Sequence, residues 1–391
     1  MSNSCIPLSD IYQQKINFII GSGASHGLFP TLWLPLKDSN DETKTETLET
    51  LATKLEQGGC KNHLTLLFMY YFRKVIEPAI NFNPNDFLID NPCERDSSSD
   101  DCLKRKVLDN YETFIDSIVR LLQQKSAFSR RCNVFTTNYD GCIPFVADYL
   151  LKKNSLDFVL NDGATGFLDK TLSAKNFSNY VCRSGVFGKN STDIPQINLI
   201  NLHGSAYWRK SADVIKVDYS SHEADVVIPE SVGTSLAQLD SVLNDATKNT
   251  RDVLAIDVQL SSQEIESFWN SYNQLPIVNP TKWKFHETVF EEHYYQMLRL
   301  LSYQLEEANS VLISFAFSFA DEHILNLVKR SLSNPKLKVY ICCFNDQEKA
   351  VMHERFKGYR NVELIALDGK VLDFDAFNET VFNADLLRDG E

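Results

Sequence analysis

NFIIGSGASHG, residues Asn17–Gly27, decides how the rest of this chain is read. A short apolar run with two isoleucines stops abruptly at Gly-Ser-Gly-Ala-Ser. Such a run reads as a strand, and two glycines one residue apart at its end bring backbone where a side chain would not fit. The purpose is either a sharp turn or the close approach of a ligand. The spacing falls short of the dinucleotide fingerprint G-x-G-x-x-G, because His26 stands three residues after Gly23 and Gly27 comes one step late. His26 reads as an exposed loop residue and receives no role.

The same pattern recurs along the chain. NVFTTNYD (Asn133–Asp140), INLINLHGS (Ile197–Ser205), SVLISFAFSFADEHI (Ser310–Ile324) and KLKVYICCFND (Lys336–Asp346) each end an apolar run in a polar cluster, and NVELIAL adds one more run near the end. Helical spacing joins them: Leu108, Tyr111, Phe114, Ile115, Ile118, Leu121 and Leu122 form one amphipathic face, and His286–Ala308 reads as a second helix. Buried strands alternating with helices predict an α/β fold with a parallel sheet. A core of about residues 12–35, 105–160, 195–210 and 300–391 is expected to be interrupted by helical insertions of about 36–104 and 211–299. No Pro/Gly/Ser-rich linker separates these, so one domain over 1–391 is expected. Leu64–Ile80 is apolar nearly all round and predicts a helix buried in the chain or lying at an interface. Residues 91–106 read as an exposed loop leading into the helix that follows.

Composition narrows the function classes. Lys and Arg number 39 against 52 Asp and Glu, a net charge of −13, which disfavours a general nucleic-acid surface. The nine cysteines (Cys5, Cys60, Cys93, Cys102, Cys132, Cys142, Cys182, Cys342 and Cys343) are scattered, with no Cys-x-x-Cys. Reduced thiols, no structural zinc and no metal are expected. No apolar run reaches transmembrane length and the first residues lack a signal-peptide pattern, so the expected location is the cytoplasm.

Ligands in open parallel sheets bind beyond the carboxyl ends of the strands, where all these polar clusters fall. Gly21 and Gly23 admit a close approach, and Ser22 and Ser25 add hydroxyls; a helix is expected to follow and offer N–H groups to phosphate. Asn138 and Asp140 flank Tyr139, so an amide and a carboxylate could hold a water or a carboxamide, with Asp140 also suited to capping a helix. His203 ends a strand and could accept a proton or polarise a substrate.

Taken in order, Gly-x-Gly-x-Ser, Thr-Thr-Asn-x-Asp and His-Gly resemble the sirtuin (silent information regulator) family. The resemblance implies a Rossmann-like NAD-binding sheet and cleavage of the bond between nicotinamide and ribose. It implies dinucleotide contacts at Gly21, Ser22, Gly23, Ala24, Ser25, Thr137 and Asp140, and catalysis by Asn138 and His203. Deacylating sirtuins carry a zinc module with two Cys-x-x-Cys pairs, and this chain has none. Phe315–Ile324 is similar instead to the Gly-Tyr-Ser-x-x-Asp-x-x-Ile segment of sirtuin-like proteins of bacterial anti-phage defence, with Ala316 in the place of the glycine. That likeness implies further contacts at Ser318 and Asp321, and the strand end FND adds Asn345. NDG at Asn161 and the YYQML run resemble the same group. The chain length resembles the stand-alone subunit that works beside a HerA-type ring ATPase.

The expected function is hydrolysis of NAD, as substrate, to ADP-ribose and nicotinamide, depleting it in an infected cell. A homo-oligomer and a HerA-like ATPase are the expected partners. A protein deacylase, an ADP-ribosyltransferase and a non-catalytic NAD- or ADP-ribose-sensing scaffold remain as alternatives.

Overall fold

The structure is a computed structural model that describes residues 6–39, 41, 43–88, 99–126, 129–185, 188, 191–220, 226–279 and 288–384. Cys5, Cys93, residues 91–98 of the expected loop and the expected helix start at His286 lie outside them. The chain divides into two compact units, one of residues 1–28, 83–203 and 292–391, the other of 29–82 and 204–291.

The first unit is built on a seven-stranded sheet whose paired strands all run parallel. In chain order the strands are β1 (Lys15–Ile20), β2 (Arg131–Thr136), β3 (Val159–Asn161), β4 (Gln196–Asn201), β5 (Ser310–Phe315), β6 (Lys338–Cys342) and β7 (Val362–Ile365). Their order across the sheet is β7-β6-β5-β1-β2-β4-β3. The helices of this unit include α1 (Asp100–Gln123), α2 (Cys142–Lys152), α3 (Thr288–Glu306), α4 (Glu322–Ser331) and α5 (Asp346–Arg355). Successive residues of a strand face opposite sides of a sheet. Phe18 meets Phe114 of α1 edge-on, whereas Asn133, bonded to the Asn17 side chain, reaches Gln304 of α3. Helices therefore cover both faces. The fold is α/β and Rossmann-like, as the alternation of strands and helices predicts. The α1 face is aromatic: Phe18, Phe114, Phe315, Phe377 and Phe382 pack ring against ring, with Phe315 and Phe377 stacked at 4.3 Å.

The α3 face holds a row of amides. Asn17 donates to Ser310 Oγ (3.0 Å), Asn133 to Asn17 Oδ1 (2.8 Å), Asn198 to Asn133 Oδ1 (2.9 Å) and Asn161 to Asn198 Oδ1 (3.0 Å). Asn17, Asn133, Asn198 and Asn161 are direct neighbours in the strand register. A slip of one residue would turn each amide to the opposite face and strand its partners. The same register brings Phe315, Ile20, Thr136 and Asn201 to one level. Four adjacent strands therefore end side by side.

In the second unit, Trp33–Lys37 pairs with Thr45–Thr47, and a capping box between Thr47 and Thr50 starts the helix Leu48–Gln57. The helix Lys61–Tyr71 is buried from Thr65 through Tyr71. It packs on Ser262–Tyr272, where Phe68 lies 4.9 Å from Trp269 and 5.5 Å from Tyr272. The apolar stretch that could have marked an interface is thus covered within its own unit.

Among the described residues, Cys60, Cys132, Cys142, Cys182, Cys342 and Cys343 are free thiols, while Cys102 is disulfide-bonded, against the expectation of reduced thiols. Among those residues there is also no metal-holding group of His, Cys, Asp and Glu, and no helix long and apolar enough to cross a membrane.

Asn133 is the middle of the amide row. Asn133→Leu should cost about 1–3 kcal/mol for each buried polar group it strands. Urea unfolding checks this, and a change below about 0.5 kcal/mol, typical of a featureless surface site, would contradict the role.

Candidate active site

The corner after β1 is one turn of 3-10 helix, Ser22–Ser25, and not the expected α-helix. Its shape follows from what lies above it. An added Cβ on Gly21 would sit 2.3 Å from the carbonyl oxygen of Ala316 and 2.9 Å from the Phe317 Cα. On Gly23 it would meet the Ala316 Cβ at 3.1 Å. Gly21 is required by the chain that leaves β5, whatever else approaches it, and Gly23 lies in tight contact with the same chain. Ala316 itself has φ +53°, in the left-handed region that favours glycine.

Ser22 and Gly23 are exposed, whereas Ala24 and Ser25 are buried. Ser25 is a hub. Its hydroxyl donates to Asp140 Oδ2 (2.7 Å), an acceptor, so its two remaining sites must accept. Tyr111 of α1 fills one at 2.8 Å and the Asn138 amide Nδ2 the other at 3.3 Å. This bookkeeping fixes the amide orientation, because a flipped Asn138 would present a carbonyl to a hydroxyl already committed. Asn138 Oδ1 consequently faces away from Ser25, buried and without a hydrogen-bond partner. A small cavity of about 10 Å³ borders Tyr111, Thr136, Asn138, Asp140, Leu199 and Asn201, near the minimum for one water.

Asn138 is 6% exposed, and its loop is tied down from two sides. Its N–H donates to Thr136 Oγ1 (3.0 Å), and the N–H of Thr137 donates to the Ile20 carbonyl (3.2 Å). Asp140 Oδ1 accepts from Cys142 N (3.0 Å) at the start of α2, while Gly141 occupies the cap position. Burial, then the nearby Asp140, push the Tyr111 hydroxyl well above its ordinary range, so it stays protonated as a donor to Ser25. The same two causes raise the Cys142 thiol well above its ordinary range.

A second group forms where β4 and β5 release the chain. His203 Nε2 lies 3.0 Å from Asp321 Oδ2, and the Asp321 carboxylate caps α4 through the N–H groups of His323 and Ile324. The Tyr294 ring stands 6.5 Å from the imidazole, its hydroxyl kept protonated by burial and then by the charge of Asp321.

Most of the residues expected at the site fall into three sets. Ser25, Asn138 and Asp140 are brought together, with Thr137 on the same loop. His203 and Asp321 form a pair of their own, and Gly21 and Gly23 lie under Ala316. Ser318 is exposed and its carbonyl accepts from Arg355. Asn345 caps α5 by accepting from Glu348 N at 2.9 Å. Tyr111 was legible only as part of the core face of its helix, since nothing in the spacing distinguishes its hydroxyl.

Compared with known proteins, the sequence matches no protein-family model and no curated protein. The site is therefore judged on its own chemistry.

Gly21→Ala should lower stability by about 1–3 kcal/mol, the usual penalty for overpacking, and Gly23→Ala by less. Thermal unfolding of both variants tests the packing; a neutral Gly21→Ala would contradict it.

Proposed function

We propose that this protein is a sirtuin-like NAD hydrolase, converting NAD and water to ADP-ribose, nicotinamide and a proton. The observation that carries the proposal is the buried carbonyl of Asn138, oriented by Ser25 and left without a partner at the edge where four strands end. An unmet acceptor in a protein interior costs about 1–3 kcal/mol, and such a group calls for an explanation. A water or a ribose hydroxyl supplies the missing donor.

The switch in strand order supports the same location. From β1 the connections run towards β2, β3 and β4, and from β5 they run the other way to β6 and β7. Dinucleotides bind at such a point in doubly wound sheets. In this reading the pyrophosphate lies over the exposed Ser22–Gly23 corner, with Gly21 and Ala24 shaping its floor and Ser25 holding Asn138. Thr137, Asp140, Ser318, Asp321 and Asn345 line the remainder of the dinucleotide edge.

The bond between the nicotinamide nitrogen and the ribose carbon breaks with its electron pair going to nicotinamide. Positive charge develops on the ribose, a water held by Asn138 adds to that carbon, and His203 takes the proton released. The depletion of NAD in anti-phage defence, the homo-oligomer and the HerA-like ring ATPase belong to the resemblance. They are proposed on that ground alone.

Asn138→Ala and His203→Ala should each reduce NAD turnover by about 10²-fold or more, as for positioned acid–base groups. Asn138→Ala deletes the unmet carbonyl together with the donor to Ser25, so circular dichroism should confirm that the variant is folded before its turnover is compared. Nicotinamide release, followed by chromatography with and without the ring ATPase, provides the measurement. Turnover close to the parent in either variant would contradict the assignment.

A further inference from the structure

We infer that Asp321 is a positioning residue for His203, fixing which imidazole nitrogen carries the proton. Asp321 Oδ1 is taken by the N–H groups of His323 (2.8 Å) and Ile324 (3.2 Å), which lock the carboxylate in one plane. Oδ2 is thereby aimed at His203 Nε2, 3.0 Å away. A carboxylate oxygen accepts, so Nε2 bears the hydrogen and the neutral ring keeps its lone pair on Nδ1. Nδ1 makes no hydrogen bond among the described residues and is the atom left to take a proton from substrate. The side chains are 12% and 5% exposed, so water competes little for the pair.

The course of the chain shows that this contact is built at some cost. His203 follows β4 and Asp321 follows β5, and β1 and β2 lie between those strands. Three strand spacings amount to about 14 Å. The segment Ala316–Asp321 comes back over the end of β1, where Gly21 gives it room. Two of its residues, Ala316 (φ +53°) and Phe319 (φ +52°), adopt the left-handed conformation without being glycine. Strain of this kind persists only where the surroundings impose it. Here the Phe319 ring is fully buried between Phe317 (4.8 Å) and Phe356 (5.1 Å), and Arg355 holds the Ser318 carbonyl. The segment is wedged so that Asp321 arrives at His203.

The effect on turnover rests on the NAD-hydrolase reading, whereas the proton position rests on geometry alone. Asp321→Asn separates this role from capping. Asn caps a helix as well as Asp does, but its NH₂ would face Nε2 as a donor and drive the ring proton to Nδ1. The test is ¹⁵N NMR of labelled histidine in the full chain, with His203→Gln identifying the signal among eight histidines. The expected result is a proton on Nε2 in the parent and on Nδ1 in Asp321→Asn, with near-parental melting temperature. The kcat for NAD should fall by about 10²-fold or more, with KM changed less than about threefold, the pattern of a transition-state effect. An unchanged tautomer in Asp321→Asn, or a switched tautomer with parental kcat, would overturn the inference. If the parent cleaves no NAD, the hydrolase reading fails and the tautomer result alone decides the pair.

Discussion

A row of side-chain hydrogen bonds from Ser310 through the amides of Asn17, Asn133 and Asn198 to Asn161 ties five strands of the seven-stranded sheet into register. Apolar strands alone specify a face but leave sliding along the strand weakly opposed. Amides bonded to their direct neighbours across the strands oppose it, because a slip breaks those bonds together. The register they set brings the ends of β5, β1, β2 and β4 to one level. Without that level edge, Ser25 could not receive Asn138 and Asp140 from the neighbouring strand.

A second constraint acts above the sheet. The chain leaving β5 must come back over the end of β1, and Gly21 is the point at which it passes. The glycine corner, which looks in sequence like a ligand-binding loop, has a packing reason of its own. Both readings are compatible, since only the Ser22–Gly23 side of the corner is exposed. What the crossing chain accomplishes is the delivery of Asp321 to His203. Two polar sets then stand at one edge: an oriented amide with an unmet acceptor, and an imidazole held by a carboxylate.

Much of this was legible in the sequence because it rests on local pattern. Six of the seven strands are apolar runs, five of them ending in polar clusters, and α1 shows its buried face at helical spacing. β3 was missed, being three residues long and embedded in a Gly-punctuated stretch. The sharp turn after β1 is legible, but the helix expected to follow it is absent: a single 3-10 turn stands there. Contacts between distant residues left no trace. Nothing local to Tyr111 marks its bond to Ser25, and nothing near Asn133 shows that it faces Asn17 and Asn198. The all-apolar stretch at Leu64–Ile80 posed a choice between core and interface that only packing partners could settle. The strand-end positions of Asn138 and His203 are legible because polar residues that follow an apolar run mark the end of a strand in a parallel sheet. Their separate partners, Ser25 and Asp321, required the fold.

Under the proposed NAD hydrolysis, the unmet carbonyl of Asn138 belongs to a site for the nicotinamide ribose. The most direct measurement is a crystal structure of His203→Ala grown with NAD, in which slowed cleavage preserves the ligand. The expected result is a ribose hydroxyl or an ordered water within hydrogen-bond distance of Asn138 Oδ1, with the pyrophosphate over Ser22 and Gly23. NAD bound elsewhere, or an Asn138 carbonyl satisfied by a protein donor with NAD present, would contradict it.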